Sequence, residues 1–397
     1  MTPGAIVVGA HANGLGVIRA LAARGVPTVS VSTRPFDIAQ HSRCVHERHA
    51  LPSLHRQRES LVDLLDGHAA RWPGWAVFPT NDDALMAVSQ HHERLSRLGY
   101  CLPCQPWAIT ASLVDKDLMH ALATASGLDV PTCHGAATPQ TSARTDLRYP
   151  LIVKPNRHDH LISTFGVKLF VADDQASLDT AIARLASVGL EGLVFESIPG
   201  PDREIFVYCL YIDGRAEPSP GVTVRKLRQN PPFVGGARAA MVVDEIPVLR
   251  DATVALLRRA RFHGMAFAEF KRDARTGRFV FVEVNGRPVL FNSILPPTGI
   301  DLVWMAWSDV VLGRRAEAQP TGWRGAWIHL QADVLATVRY RRFERLGIGE
   351  WLAPYRGPKT YAVWSLRDPQ PFAAQTALLA RRLLAGPRAT PPPETSR

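Results

Sequence analysis

At 397 residues, with 46% hydrophobic and 21% charged side chains, the chain has the size and balance of two or three globular domains with a substantial core. No apolar run reaches the roughly 18 residues of a membrane-spanning helix, and the opening MTPGAIVVGAHANGLG has no basic leader or cleavage site, so a cytoplasmic protein without a membrane partner is expected. The formal charge of +10 would suit nucleic acid, but no basic run interleaved with aromatics and no zinc-finger spacing accompanies it; attraction of anionic small molecules accounts for it as well.

In chain order, residues 5–8 read as a buried strand, a glycine turn leads to a helix over about 17–24, and residues 28–32 form a second strand. This β-α-β opening predicts a parallel sheet. Its glycines do not match GxGxxG and no acidic residue ends the second strand, so a dinucleotide site is disfavoured against a substrate-binding turn or tight packing. A strand at 76–79 ends in Thr80-Asn81-Asp82-Asp83, which reads equally as a strand-end ligand site and as a helix N-cap. The five cysteines are scattered; Cys101-Leu-Pro-Cys104 has CxxC spacing without a second pair and reads as two small apolar residues beside a strand end. A helix over 115–127, a strand near 149–155, a helix over 177–186, strands at 192–196 and 204–212, and a helix over 252–261 follow. Two apolar runs, 266–271 and 279–284, read as an antiparallel hairpin. Residues 316–385 are read as a packed C-terminal extension, and the Pro-rich residues 386–397 as a disordered tail.

The hairpin carries the chemistry. Glu269 lies inside one apolar strand, and Glu283 lies inside the other with Asn285 two residues on. Period-two geometry puts Glu283 and Asn285 on one face, where Glu269 from the neighbouring strand can join them. Two carboxylates and an amide oxygen form a hard oxygen donor set suited to Mg²⁺. Arg287 continues the alternation and is placed to face an anion. Only six of the 46 basic residues are lysine, so each lysine is a candidate for a site needing a compact ammonium.

The Glu…Glu-x-Asn-x-Arg arrangement resembles the ATP-grasp superfamily, and the likeness runs along most of residues 1–315. Asp115-Lys116 resembles the first nucleotide lysine of that family and Lys154 the second. Glu196-Ser197-Ile198 resembles the hinge that holds adenine by backbone groups. Glu204 is similar to the acid that binds the ribose hydroxyls, with Asp202 as the alternative. The stretch from Val224 to Pro232, with Gly14-Leu15-Gly16, Gly299-Ile300-Asp301-Leu302 and Asp368-Pro369, is similar to D-aspartate-ligase-like and carbamoyl-phosphate-synthase-like carboxylate–amine ligases.

The resemblance implies an α/β ATP-grasp architecture: a parallel-sheet domain over 1–110, an ATP-grasp domain over 111–315 with a lid at about 117–193, and the extension. It implies ATP and Mg²⁺ as cofactors, with Glu269, Glu283 and Asn285 as metal ligands, and an amide bond formed from a small-molecule carboxylate and an amine through an acyl phosphate. Arg287 would hold the carboxylate, with Arg225 and Lys226 as helpers or, alternatively, as plain surface charge. The loop 156–168 departs from the Gly-rich loop of many members by having a single glycine. Adjacent residues rarely converge on one ion, so His158-Asp159-His160 is not read as a metal site; His158 or backbone amides are expected at phosphate, with Lys168 near. That departure keeps a non-catalytic ATP-binding regulatory protein as the alternative, ahead of a Rossmann oxidoreductase and a nucleic-acid binder. The acid, the amine and the oligomeric state stay open, a homodimer included.

Overall fold

The structure, a computed structural model, describes residues 3–155, 161, 164–165, 167, 169–233, 235–343 and 346–384. His158, Lys168, the His-Asp-His run and the 386–397 tail lie outside the described residues.

Four strands, β1 (Ala5–Val8), β2 (Thr28–Ser32), β3 (Glu47–Ala50) and β4 (Ala76–Pro79), make a parallel sheet in the order β3-β2-β1-β4. β1 and β4 are buried along their whole length, as continuous apolar runs in a parallel sheet should be. The first helix runs Ala12–Ala22, earlier than its sequence predicts. Gly14 and Gly16 lie inside it, and a Cβ at either would collide with the Gly9 carbonyl or the Asn292 side chain. The two glycines therefore serve close packing, with Gly16 fitting the helix against Asn292.

A second, antiparallel sheet in the order β5-β8-β6-β7 combines β5 (Cys133–Ala136), β6 (Leu151–Pro155), β7 (Phe170–Ala172) and β8 (Gly192–Glu196). Helix Gln175–Ser187 begins on a capping box of Asp174 and Ser177 and packs its Leu178, Ile182 and Leu185 onto this sheet.

The largest sheet has seven strands: β9 (Ile205–Ile212), β10 (Val222–Asn230), β11 (Gly236–Val243), β12 (Gly264–Arg272), β13 (Phe279–Asn285), β14 (Ala326–Ile328) and β15 (Lys359–Tyr361), in the order β13-β12-β9-β10-β11-β14-β15. The extension beyond residue 315 is thus not only packed helices, because β14 and β15 extend this sheet. Helix Pro247–Arg259 starts five residues before the predicted 252, with Pro247 in its first turn where the ring needs no N–H partner. One apolar core runs from Val7, Leu15 and Ile18 of the parallel-sheet region to Val207 and Phe267 of the large sheet. Trp307, from helix Leu302–Leu312, lies in that core and donates its indole N–H to the Gly4 carbonyl at 3.3 Å.

Asp368 fastens the C-terminal segment back onto the N-terminal region. Its buried carboxylate accepts from Arg19 Nε at 2.9 Å, Ser42 Oγ at 2.7 Å and the Arg43 amide at 3.0 Å. An Asp368→Ala change strands three donors, and unfolding in urea should show a loss of about 3 kcal/mol. Burial pushes both CxxC thiols up, Cys104 to about 12, which keeps them protonated small apolar groups.

Candidate functional site

β12 and β13 pair so that Glu269 stands directly opposite Glu283, with Phe267 opposite Asn285. Two carboxylates in facing positions repel, and the arrangement persists only with compensation. Lys226 on β10 supplies it, with Nζ 2.6 Å from Glu269 Oε2 and both side chains nearly buried. Burial raises the Glu269 pKa, against the pull of Lys226, and the Glu283 charge adds to the rise. For Glu283, burial also opposes the charge. Lys226, a 3.1 Å bond from Asn285 Nδ2 and Lys154 outweigh it and hold the carboxyl below its usual range. The Glu283 side chain stays accessible to solvent on this strand. Because Asn285 turns its nitrogen to Glu283, its oxygen is left for another partner.

Both predicted nucleotide lysines lie in the field of Glu283. Asp115 caps helix Lys116–Ala125 by accepting from the Asp117 and Leu118 amides, which sets Lys116 in the first turn. Lys116 Nζ is 3.4 Å from the Pro155 carbonyl at the end of the strand that carries Lys154. Burial, then the neighbouring Lys154 charge, pushes the Lys116 pKa down to about 8. Burial likewise lowers Lys154, against Glu283 and Glu269, and its ammonium stands 5.1 Å over the Phe195 ring.

Arg287 forks onto Asp82, at 2.7 Å and 2.9 Å. Asn81 meanwhile caps the helix Asp82–Gln90 through the Ala84 amide at 2.9 Å. The strand-end polar residues thus supply a helix cap through Asn81 and the partner of Arg287 through Asp82.

The hinge residues are placed differently from one another. The Glu196 and Ser197 amides donate to the Thr132 and Pro150 carbonyls, whereas the Ile198 amide donates to no described residue. The Glu196 carboxylate holds Arg275 at 2.7 Å. Glu204 is held between Arg225 at 3.1 Å and Arg272 at 2.6 Å. Asp202 does not fit the ribose alternative: it is fully buried and accepts from Gln229 Nε2, the Phe233 amide and the Tyr340 hydroxyl.

The four polar residues of Arg225–Gln229 on β10 are each paired: Arg225 to Glu204, Lys226 to Glu269, Arg228 to Asp333 and Gln229 to Asp202. The surface-charge reading of Lys226 is therefore corrected. Arg225 also bonds the Arg203 carbonyl and lies over Phe206, and no described contact links it to Arg287. Sequence reasoning does not find Asp333, and it finds Asp82 only within the Thr80–Asp83 strand end and not as the partner of Arg287. Each is far from its arginine in sequence, 105 residues in one case and 205 in the other.

No family model and no curated protein matches the chain. Solved structures do. An L-amino acid ligase from Bacillus licheniformis superposes with a TM-score of 0.63 at 16% identity, covering 80% of this chain and 79% of the other. The biotin carboxylase domain of the Hydrogenobacter thermophilus 2-oxoglutarate carboxylase, in complex with MgADP and bicarbonate, gives 0.62 at 16%, covering 82% and 74%. The N5-carboxyaminoimidazole ribonucleotide synthetase of Thermus thermophilus gives 0.59 at 15%, covering 81% of each chain.

Proposed function

We propose that this chain, which has the ATP-grasp fold, is an ATP-dependent carboxylate–amine ligase that uses Mg²⁺ and forms an amide through an acyl phosphate. The observation that carries the reading is the facing pair Glu269–Glu283 beside Lys116, Lys154 and Arg287. The donor set fits a hard divalent cation: Glu283 is held ionised, the Asn285 oxygen is turned outward, and the buried Glu269 charge gains from any added cation. Bound Mg-ATP would supply the phosphoryl group that activates the carboxylate.

The chain's own residues position and neutralise. Lys116 and Lys154 offset phosphate charge, and Arg287, its fork preset by Asp82, orients the acid. Lys226 acts through Glu269, holding that carboxylate in place, and is a positioning residue. Incubation with Mg-ATP, hydroxylamine and a panel of acids tests the reading: one acid should yield a hydroxamate together with ADP. Nucleotide binding with no ADP release under any acid and amine would instead favour the non-catalytic reading.

Lys116 makes nucleotide affinity pH-dependent. Its ammonium is present below its lowered pKa of about 8 and lost above it, so affinity for ATP should fall as pH rises through that value. Lys116→Met should bind weakly and without that fall, by fluorescent-nucleotide titration from about pH 6.5 to about 9.5.

A further inference from the structure

The edge strand β3 carries Glu47 and His49 two residues apart, so both belong to one face of the sheet. The helix Glu59–Gly67 buries Leu61, Val62 and Leu65 in the core beside the parallel sheet and ends at His68. Among the described residues, Glu47, His49 and His68 are the one group of three metal-ligating side chains whose ligand atoms all lie within 4.8 Å of one another.

Both rings are held in place. His68 stacks on Trp72 with the ring centres 4.5 Å apart, and His49 meets that indole edge-on at 5.5 Å and His68 at 5.1 Å. Trp72 is 2% exposed and forms a fixed platform under the two imidazoles. His68 Nδ1 lies 2.9 Å from the Leu64 carbonyl. A carbonyl only accepts, so the proton sits on Nδ1 and Nε2 presents a bare lone pair. An imidazole that donates one N–H to a backbone carbonyl is the form that ligates a metal through its other nitrogen. His49 Nε2 stands 2.8 Å from Glu47 Oε1. These two side chains are 20% and 24% exposed, which leaves an ion a way in.

Arg71 is the competitor. Its guanidinium forks onto the Glu47 carboxylate at 2.9 Å and 2.8 Å. With 63% of its side chain exposed, it can swing into water at little cost.

Two imidazole nitrogens and one carboxylate oxygen suit a tetrahedral transition-metal dication better than Mg²⁺, which prefers oxygen donors. We propose that Glu47, His49 and His68 bind one Zn²⁺ ion, with water in the fourth position, at a site separate from the Glu269–Glu283 hairpin. The ion takes the place of the proton between His49 Nε2 and Glu47 Oε1. That proton passes to His49 Nδ1, so the imidazole stays neutral while Nε2 ligates. The bound ion fastens the edge strand β3 to the end of the helix Glu59–Gly67. The site lies on the parallel sheet and stands or falls apart from the ligase reading.

The test is equilibrium dialysis of the whole protein against Zn²⁺ with excess Mg²⁺ present. Wild type should hold one Zn²⁺ per chain with a Kd of about micromolar or tighter. His49→Ala and Glu47→Gln should weaken that binding by at least about a hundredfold. Arg71→Ala, which leaves both Glu47 oxygens to the ion, should tighten it by about threefold or more. Co²⁺ in place of Zn²⁺ should give wild type the strong visible absorption of a four-coordinate ion, and His68→Ala should lose it. Unfolding midpoints measured without metal show that each variant is folded, and Glu47→Gln, which keeps the shape of the side chain, serves where a histidine variant is not. Zn²⁺ held as tightly by Glu47→Gln as by wild type, as it would be at the thiols, overturns the proposal. So does a wild type that holds no stoichiometric Zn²⁺, or weaker binding by Arg71→Ala.

Discussion

Glu283→Ala is expected to lower ADP release, in the presence of the cognate acid and amine, by at least about a hundredfold. Its unfolding midpoint should fall only a little. Glu283 faces Glu269 across an antiparallel pair, so losing one carboxylate relieves a repulsion within the fold, but the same change takes a favourable partner from Lys226, Lys154 and Asn285 and a candidate ligand from the metal site. Glu269→Ala should separate from it, because Lys226, nearly buried, then loses its 2.6 Å partner and the protein is destabilised as well as inactive. ADP release and thermal unfolding, measured on the same preparations, check both variants. Undiminished ADP release by Glu283→Ala would sink the metal assignment.

The parallel opening and the hairpin were legible because their signals are local. Continuous apolar runs mark β1 and β4, and period-two alternation puts Glu283 and Asn285 on one face. The start of the first helix was not legible, because Gly14 and Gly16 read as a turn, whereas they make room for the Gly9 carbonyl and for Asn292, a neighbour only in the fold. Strand order was equally hidden. Nothing within 326–328 or 359–361 says that these short runs pair with β11 and with each other, since register in a sheet is fixed by partners far along the chain. At the candidate site, residue types were readable but their partners were not: Asp82 beside Arg287 and Asp202 beneath Gln229 are long-range contacts.

The second large effect is expected at Arg228–Asp333. Both side chains are almost wholly buried, 3% and 0% exposed, and the guanidinium meets both carboxylate oxygens. Tyr355 adds a third bond to Asp333, at 2.7 Å. Arg228→Met leaves that carboxylate as a buried charge short of its main partner and should cost about 3–5 kcal/mol in urea unfolding. Replacing both partners with apolar residues, Arg228→Met with Asp333→Leu, should recover most of the loss, since neither charge then remains uncompensated. The site has a stake in this pair. Arg228 and Lys226 share β10, and the neighbouring Gln229 links Lys226 to Asp202 and Tyr340, so the helix Leu330–Phe343, which carries both Asp333 and Tyr340, braces the strand that presents Lys226 to Glu269. If that brace positions Lys226, Arg228→Met should weaken ADP release at temperatures well below its unfolding midpoint, and the double variant should restore stability more fully than activity.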